Sequence, residues 1–166
     1  MKIILASKSG VRKKILDDYK IDSDVVLSNV DEDEVKTSLL AEGANPLLIS
    51  KNLAEIKSVK VSSKNPDRLV LGADSVISLN NELINKPRSR DEALKILKKL
   101  NNSKHYLISS VCFSKNNVFL HKSVVAQIWC LFSCSVGREP NFLCELLQSV
   151  AICGKCCPQF EGYEIP

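Results

Sequence analysis

The chain opens with the apolar run Ile3-Ile4-Leu5-Ala6, passes through a polar step, Ser7-Lys8-Ser9-Gly10, and then carries apolar residues at helical spacing. The run predicts a first strand. Val11, Ile15, Leu16 and Tyr19 predict a helix with one apolar face, leaving Arg12, Lys13 and Lys14 off it. Residues 21–30 predict a second strand that ends at four consecutive acids, Asp31 to Glu34, which suit either a solvated loop or the first turn of a helix. Asn45-Pro46 is a cap followed by proline at a first helical position, and Leu48, Ile49, Leu53 and Ile56 make an apolar stripe with Lys57 beside it. Asn65-Pro66-Asp67 breaks the chain, and Ser89-Arg90-Asp91-Glu92 is a capping box for a helix that buries Ala93, Leu94, Leu97 and Leu100. His105 to Phe113 is a further strand, with His105 at its edge, turning at Asn116-Asn117 into a partner that starts at Val118. Alternating strand and helix signals with at least one hairpin predict an α/β fold, a mixed central sheet flanked by helices.

The stretch from Leu69 to Leu79 departs from simple alternation. Apolar, partly β-branched runs flank a single acid, Asp74, at a Gly72-Ala73 step, which predicts two buried strand pieces with a kink between them. An unpaired buried carboxylate costs several kcal/mol, so such a residue has either a partner or a task. Gly72 removes a side chain where the backbone bends or a ligand comes close. Asn80-Asn81 turns the chain back and brings Lys86 to the rim of the same strands. A strand-end Asp satisfied by backbone N–H groups explains Asp74 equally well.

At 166 residues the chain fits one domain with a full core. No apolar run reaches the ~18–20 residues of a membrane span, and the N-terminus lacks a signal-peptide layout, so no membrane and a cytoplasmic location are expected. The net charge of +4 is unevenly spread: residues 1–122 carry 21 Lys/Arg against 15 Asp/Glu, and residues 123–166 carry 2 against 4. A lysine-rich body suits anionic ligands, but no basic block interleaved with aromatics appears, which argues against nucleic acid. Six of the seven cysteines lie in the last 44 residues, and an odd count without a secretion signal argues against a disulfide framework.

The chemistry follows from position. A strand, a Ser/Gly loop and a helix N-terminus make an anion site, with Arg12 close behind; Ser7 or Ser9 as a plain N-cap explains the same pattern. The acidic run offers oxygen ligands to Mg²⁺, which takes one or two carboxylates together with substrate phosphate.

Taken in order, Leu5-Ala6-Ser7-Lys8-Ser9-Gly10-Val11-Arg12, Val30-Asp31-Glu32, Leu53-Ala54-Glu55-Ile56-Lys57, Leu71-Gly72-Ala73-Asp74-Ser75, Lys86-Pro87, Asp91-Glu92-Ala93 and Leu100 to His105 resemble the successive motifs of the Maf family. That family comprises nucleoside triphosphate pyrophosphatases with a fold similar to the inosine triphosphate pyrophosphatases, two lobes around a cleft. The resemblance covers residues 1–122. It implies hydrolysis of a nucleoside triphosphate to the monophosphate and pyrophosphate, with a divalent metal (Mg or Mn), in a homodimer. It also implies roles: Asp74 as the proton acceptor for the attacking water, Ser7, Arg12, Lys57 and Lys86 around the triphosphate, and Glu32 with Asp74 on the metal side.

Two departures qualify the resemblance. Ser9-Gly10-Val11-Arg12 lacks the first basic residue of the family's opening motif, which weakens a dTTP/UTP assignment and leans towards a methylated substrate such as 7-methyl-GTP; Ser75 does not decide it. Residues 123–166 lack aspartate, gain cysteine and retain only Gln159-Phe160-Glu161-Gly162 near the expected Gln–Gly motif, which makes Gln159 a candidate substrate contact and is the pattern a shifted reading frame produces. Cys130-x₃-Cys134 with Cys153-x₂-Cys156 has roughly zinc-ribbon spacing, although incidental free thiols explain it as well. The expectation is thus a pyrophosphatase, against a nucleotide-binding division regulator or inactive truncated homologue, and a zinc module in the tail.

Overall fold

The computed structural model of the chain describes residues 2–101 and 103–130, with side chains to residue 121. Its centre is β1 (Ile3–Ala6), buried on both faces. Ile3 and Leu5 pack with Leu16, Leu69 and Leu71, while Ile4 and Ala6 pack on the opposite face with Val61, Val70 and Val26. Helix α1 (Gly10–Asp18) covers the first face and α3 (Pro46–Ser62) the second. The remaining elements are β2 (Ser23–Val25), α2 (Glu32–Ala41), β3 (Val70–Leu79), β4 (Glu82–Ile84), α4 (Arg90–Leu100), β5 (His105–Lys115) and β6 (Val118–Cys130). The sheet runs β2-β1-β3-β5-β6, parallel at β2-β1-β3 and antiparallel thereafter, with β4 antiparallel on β3. The mixed α/β sheet expected from the pattern is the one found.

Local signals set many boundaries. Ser9, Asn45 and Ser89 cap α1, α3 and α4, each accepting from an amide three residues on. The Asn80-Asn81 and Asn116-Asn117 turns each place both residues at positive φ (51° and 66°; 53° and 61°), the conformation of a two-residue hairpin turn, which asparagine tolerates. The acidic run resolves as helix: Asp31 caps α2, and Glu32, Asp33 and Glu34 fill its positive first turn.

Several expectations are corrected. Strand β3 is continuous, without a kink at Gly72-Ala73, because its whole length pairs with β5. The second strand shrinks to Ser23–Val25, the residues in register with Ile3–Leu5 of β1. Tyr19 lies beyond the last turn of α1, as its C-cap, and is 77% exposed. On α3 the buried face is Ile49, Leu53, Lys57 and Val61 with Ser50, Ala54 and Ser58, whereas Leu48 and Ile56 face outward. Leu94 is exposed on α4. His105 opens an interior strand, between Leu79 and Cys130, rather than an edge. Among the described residues no helix is long and apolar enough to cross a membrane.

Gly72 exists for α3. A Cβ there would stand 2.2 Å from the Ala54 carbonyl oxygen and 2.7 Å from the Ser58 Cβ and backbone N. Small residues on α3 and a glycine on β3 let the helix backbone lie against the strand, and this close approach carries Lys57 to the sheet. Gly72→Ala is therefore expected to cost about 3 kcal/mol or more by overpacking, measured as a fall in the urea midpoint; an unchanged midpoint contradicts the close approach.

Candidate functional site

One edge of β3 is taken twice and left open between. Strand β1 pairs with it over Val70–Gly72 and β4 over Ile77–Leu79, so residues 73–76 have a strand partner on the β5 side alone. The opening is the floor of a cavity of about 970 Å³ that separates β1, the loop after it and α1 from β4 and α4. Asp74 and Ser75 sit in this opening, on opposite faces of the strand as its pleat requires.

On the α3 face, Asp74 is 5% exposed. Its Oδ1 accepts from Lys57 Nζ at 2.6 Å, and the same Nζ lies 2.7 Å from Glu32 Oε1. Helix α3 thus inserts one ammonium between a carboxylate of β3 and another of α2. Asp74 Oδ2 is buried and has no hydrogen-bond partner. Burial pushes the Asp74 carboxyl above its ordinary 3.8, Lys57 opposes this, Glu32 adds to it and Arg12 opposes it more weakly. Burial acts in the same sense on Glu32, but the hydrogen bond and charge of Lys57, with Lys86 and Lys36 beyond it, outweigh it and hold that carboxyl below its usual range. One lysine therefore leaves two neighbouring acids displaced in opposite directions.

On the α1 face, Arg12 closes the opening. Its Nη1 donates to Ser7 Oγ (3.0 Å) and to the Ala73 carbonyl (2.9 Å), and its Nη2 to Ser75 Oγ (3.1 Å). Arg12 thus satisfies a backbone carbonyl that no strand reaches and ties the Ser7–Gly10 loop to β3. Burial pushes its guanidinium below the usual range, with Asp74 and Glu32 pulling the other way. Ser7 Oγ also accepts from the Ser9 amide at 3.2 Å, and Ser9 is the N-cap, so the two serines share the tasks left open by the sequence.

Lys86 is 82% exposed in its side chain at the rim, with Nζ 3.9 Å from Glu32 Oε2. Ser7, Arg12, Glu32, Lys57, Asp74 and Lys86 therefore all line one cavity. Gln159, Cys134, Cys153 and Cys156 lie outside the described residues, as does the side chain of Cys130. Sequence reasoning missed Lys36, whose side chain is only 12% exposed and which lines the cavity with Nζ 4.0 Å from Asp33 Oδ1. Its signal was present: it follows Glu32 by four residues, so the two share a face of α2. Lys8, Arg88 and Arg90 add three more cations to the lining.

A Pelagibacter ubique protein (strain HTCC1062) named nucleoside triphosphate pyrophosphatase is 60% identical over 113 residues, 68% of this chain and 58% of the relative. A Brucella abortus protein named 7-methyl-GTP pyrophosphatase is 34% identical over 124 residues, 75% of this chain and 62% of its own length. An Aquifex aeolicus protein named dTTP/UTP pyrophosphatase is 36% identical over 121 residues, 72% and 60% respectively. The chain thus spans about three fifths of the length of the curated relatives it matches. Two solved structures align more loosely: a dITP/XTP pyrophosphatase from Mycobacterium abscessus (TM-score 0.44, 13% identity, 76% of this chain and 70% of that one) and the Staphylococcus aureus Ham1 protein (TM-score 0.39, 16%, 75% and 67%). The family model described as Maf-like protein matches residues 2–133, from before β1 to past the end of β6. The chain belongs to the Maf-like family.

Proposed function

We propose that the chain hydrolyses a nucleoside triphosphate to the nucleoside monophosphate and pyrophosphate. The observation that carries this reading is Asp74: a buried carboxylate in the opening of β3, clamped at Oδ1 by Lys57 and without a partner at Oδ2, in a cavity otherwise rich in cations. In this reading a water held at Oδ2 attacks the α-phosphorus. A phosphorus–oxygen bond forms to the water oxygen, the bond from the α-phosphorus to the bridging oxygen breaks, the water's proton passes to Asp74, and pyrophosphate leaves with the bond's electron pair. A carboxyl raised above its ordinary value is a better acceptor than an exposed aspartate. Lys36 and Lys86 lie where they offset the charge of the phosphate chain, while Arg12 and Ser7 hold the loop in place.

A hard divalent cation asks for oxygen donors. Among the described residues no group of three or more His, Cys, Asp or Glu is placed to hold a metal, so a site built from this chain alone is not the fit. Two carboxylates are the fit for Mg²⁺ or Mn²⁺, which complete their shell with substrate phosphates and water: with Lys57 on Oδ1 and Oε1, Asp74 Oδ2 has no partner and Glu32 Oε2 has the exposed Lys86 Nζ at 3.9 Å, so these two oxygens would hold the ion. Such an ion, when bound, would lower the pKa of the water and polarise the phosphoryl oxygen. The names of the relatives support a nucleoside triphosphate as substrate, and two of them support 7-methyl-GTP and dTTP/UTP as the bases to test first.

The reading is tested on the 166-residue chain by following pyrophosphate and monophosphate release from these triphosphates in H₂¹⁸O. The label is expected in the monophosphate; binding without release favours a nucleotide-binding regulator instead. EDTA is expected to abolish release and Mg²⁺ or Mn²⁺ to restore it, and full activity in EDTA removes the metal from the account. Asp74→Asn is expected to lose about 10²–10⁴-fold in kcat with nucleotide affinity kept. Its raised carboxyl makes ionised Asp74 unfavourable for folding, a cost absent below the ordinary value of 3.8 and complete above the folded value, so the neutral variant keeps or raises Tm at neutral pH. Wild-type kcat in this variant excludes the role. Lys57→Met takes away the cation that favours the ionised acid, so the acid limb of kcat/KM is expected to move up by about one pH unit or more; an unmoved limb contradicts the coupling.

A further inference from the structure

The cavity does not end at the cations. Beyond the opening, register places Ile77 of β3 directly opposite Ile84 of β4 on one side and Leu107 of β5 on the other. Directly opposed residues share a face of a sheet, so Ile84, Ile77 and Leu107 form one aliphatic row across three strands. All three line the cavity, and Ile96 of α4 joins them. The adjacent row on the same face is Ser75 opposite Ser109, whose hydroxyls lie 2.9 Å apart, with Arg12 bonded to Ser75. On this face the surface thus changes from the Arg12 guanidinium and the serine hydroxyls to aliphatic carbon over the two strand steps from Ser75 to Ile77, about 7 Å.

We propose that this row is the seat of the nucleobase. The inference rests on the reading of the chain as acting on a nucleoside triphosphate, and adds the residues that hold the end remote from the reaction. Charged phosphates have no favourable place on three aliphatic side chains, whereas a base has two apolar faces to remove from water. Among the described residues no Phe, Tyr or Trp lines the cavity, so the base rests on aliphatic carbon rather than on an aromatic ring. The row adds the shape of Ile77, Ile84 and Leu107 to the features of the cavity that choose among bases. Ile84 is the position to change, because it lies on a three-residue strand and is half-buried, outside the core.

The test compares two ligands at equilibrium by calorimetry: α,β-methylene nucleoside triphosphates carrying thymine or guanine, and inorganic tripolyphosphate, which has no base. Ile84→Ala is expected to weaken at least one of the methylene analogues about tenfold or more, to leave tripolyphosphate unchanged, and to be rescued in part by Ile84→Leu. Equal weakening of all ligands, or no weakening of either analogue, overturns the seat. Failure of the unaltered chain to bind any of them sinks the nucleotide reading and this one together. Base-dependent binding lost in Ile84→Ala, in a chain that releases no pyrophosphate, sinks the hydrolase reading and leaves the seat standing.

Discussion

One buried ammonium holds the site together. Lys57 Nζ is within 2.7 Å of carboxylates from two other elements, with its side chain 7% exposed. A charge in that position is tolerable because carboxylates meet it, and removing Lys57 would leave the buried Asp74 carboxylate without its cation, at about 3–5 kcal/mol. The arrangement favours function over stability: aliphatic side chains of similar volume would pack there without desolvation. What the ions provide instead is an Asp74 fixed at one oxygen and buried without a partner at the other.

That ammonium depends in turn on how near α3 lies to the sheet. The serines and alanine of its inner face, and the bare Cα of Gly72, bring helix backbone and strand into contact, so that a lysine on the inner face points along the strand to Asp74. Across the strand, Arg12 does the corresponding work from α1 by capping the Ala73 carbonyl in the stretch where β1 has ended and β4 has not begun. An unpaired strand edge ordinarily exposes peptide groups to water; here the edge floors a cavity, and an arginine replaces the missing strand at the Ala73 carbonyl.

How much of this was legible in the sequence follows from how local each feature is. Caps at Ser9, Asn45 and Ser89 and the two Asn-Asn turns depend on a few adjacent residues, and they stand where the pattern predicts. The opening in β3 depends on where β1 stops and β4 starts, two strands distant in sequence, and no periodicity encodes it. The sequence pattern puts Asp74 in a buried run, but at Gly72 a bend, a close ligand and a close helix all ask for the same residue, and the structure has the helix. The spacing puts Lys57 beside an apolar stripe; the buried face is rotated towards it, since a helix pressed on a sheet buries its small residues and leaves Leu48 and Ile56 outside. Lys36 escaped notice because a lysine on a charged helix looks solvated until Glu32 fixes which face is inward.

The displacement of Asp74 is the physical quantity on which the account turns, and it is measurable without substrate. Titration of the Asp74 side-chain carboxyl ¹³C by NMR in the intact chain is expected to give a midpoint above 3.8, the ordinary value for that group. A midpoint at or below 3.8 means that its charge is already satisfied by its neighbours, and Asp74 is then an ion-pair partner of Lys57 and not the acceptor of a proton.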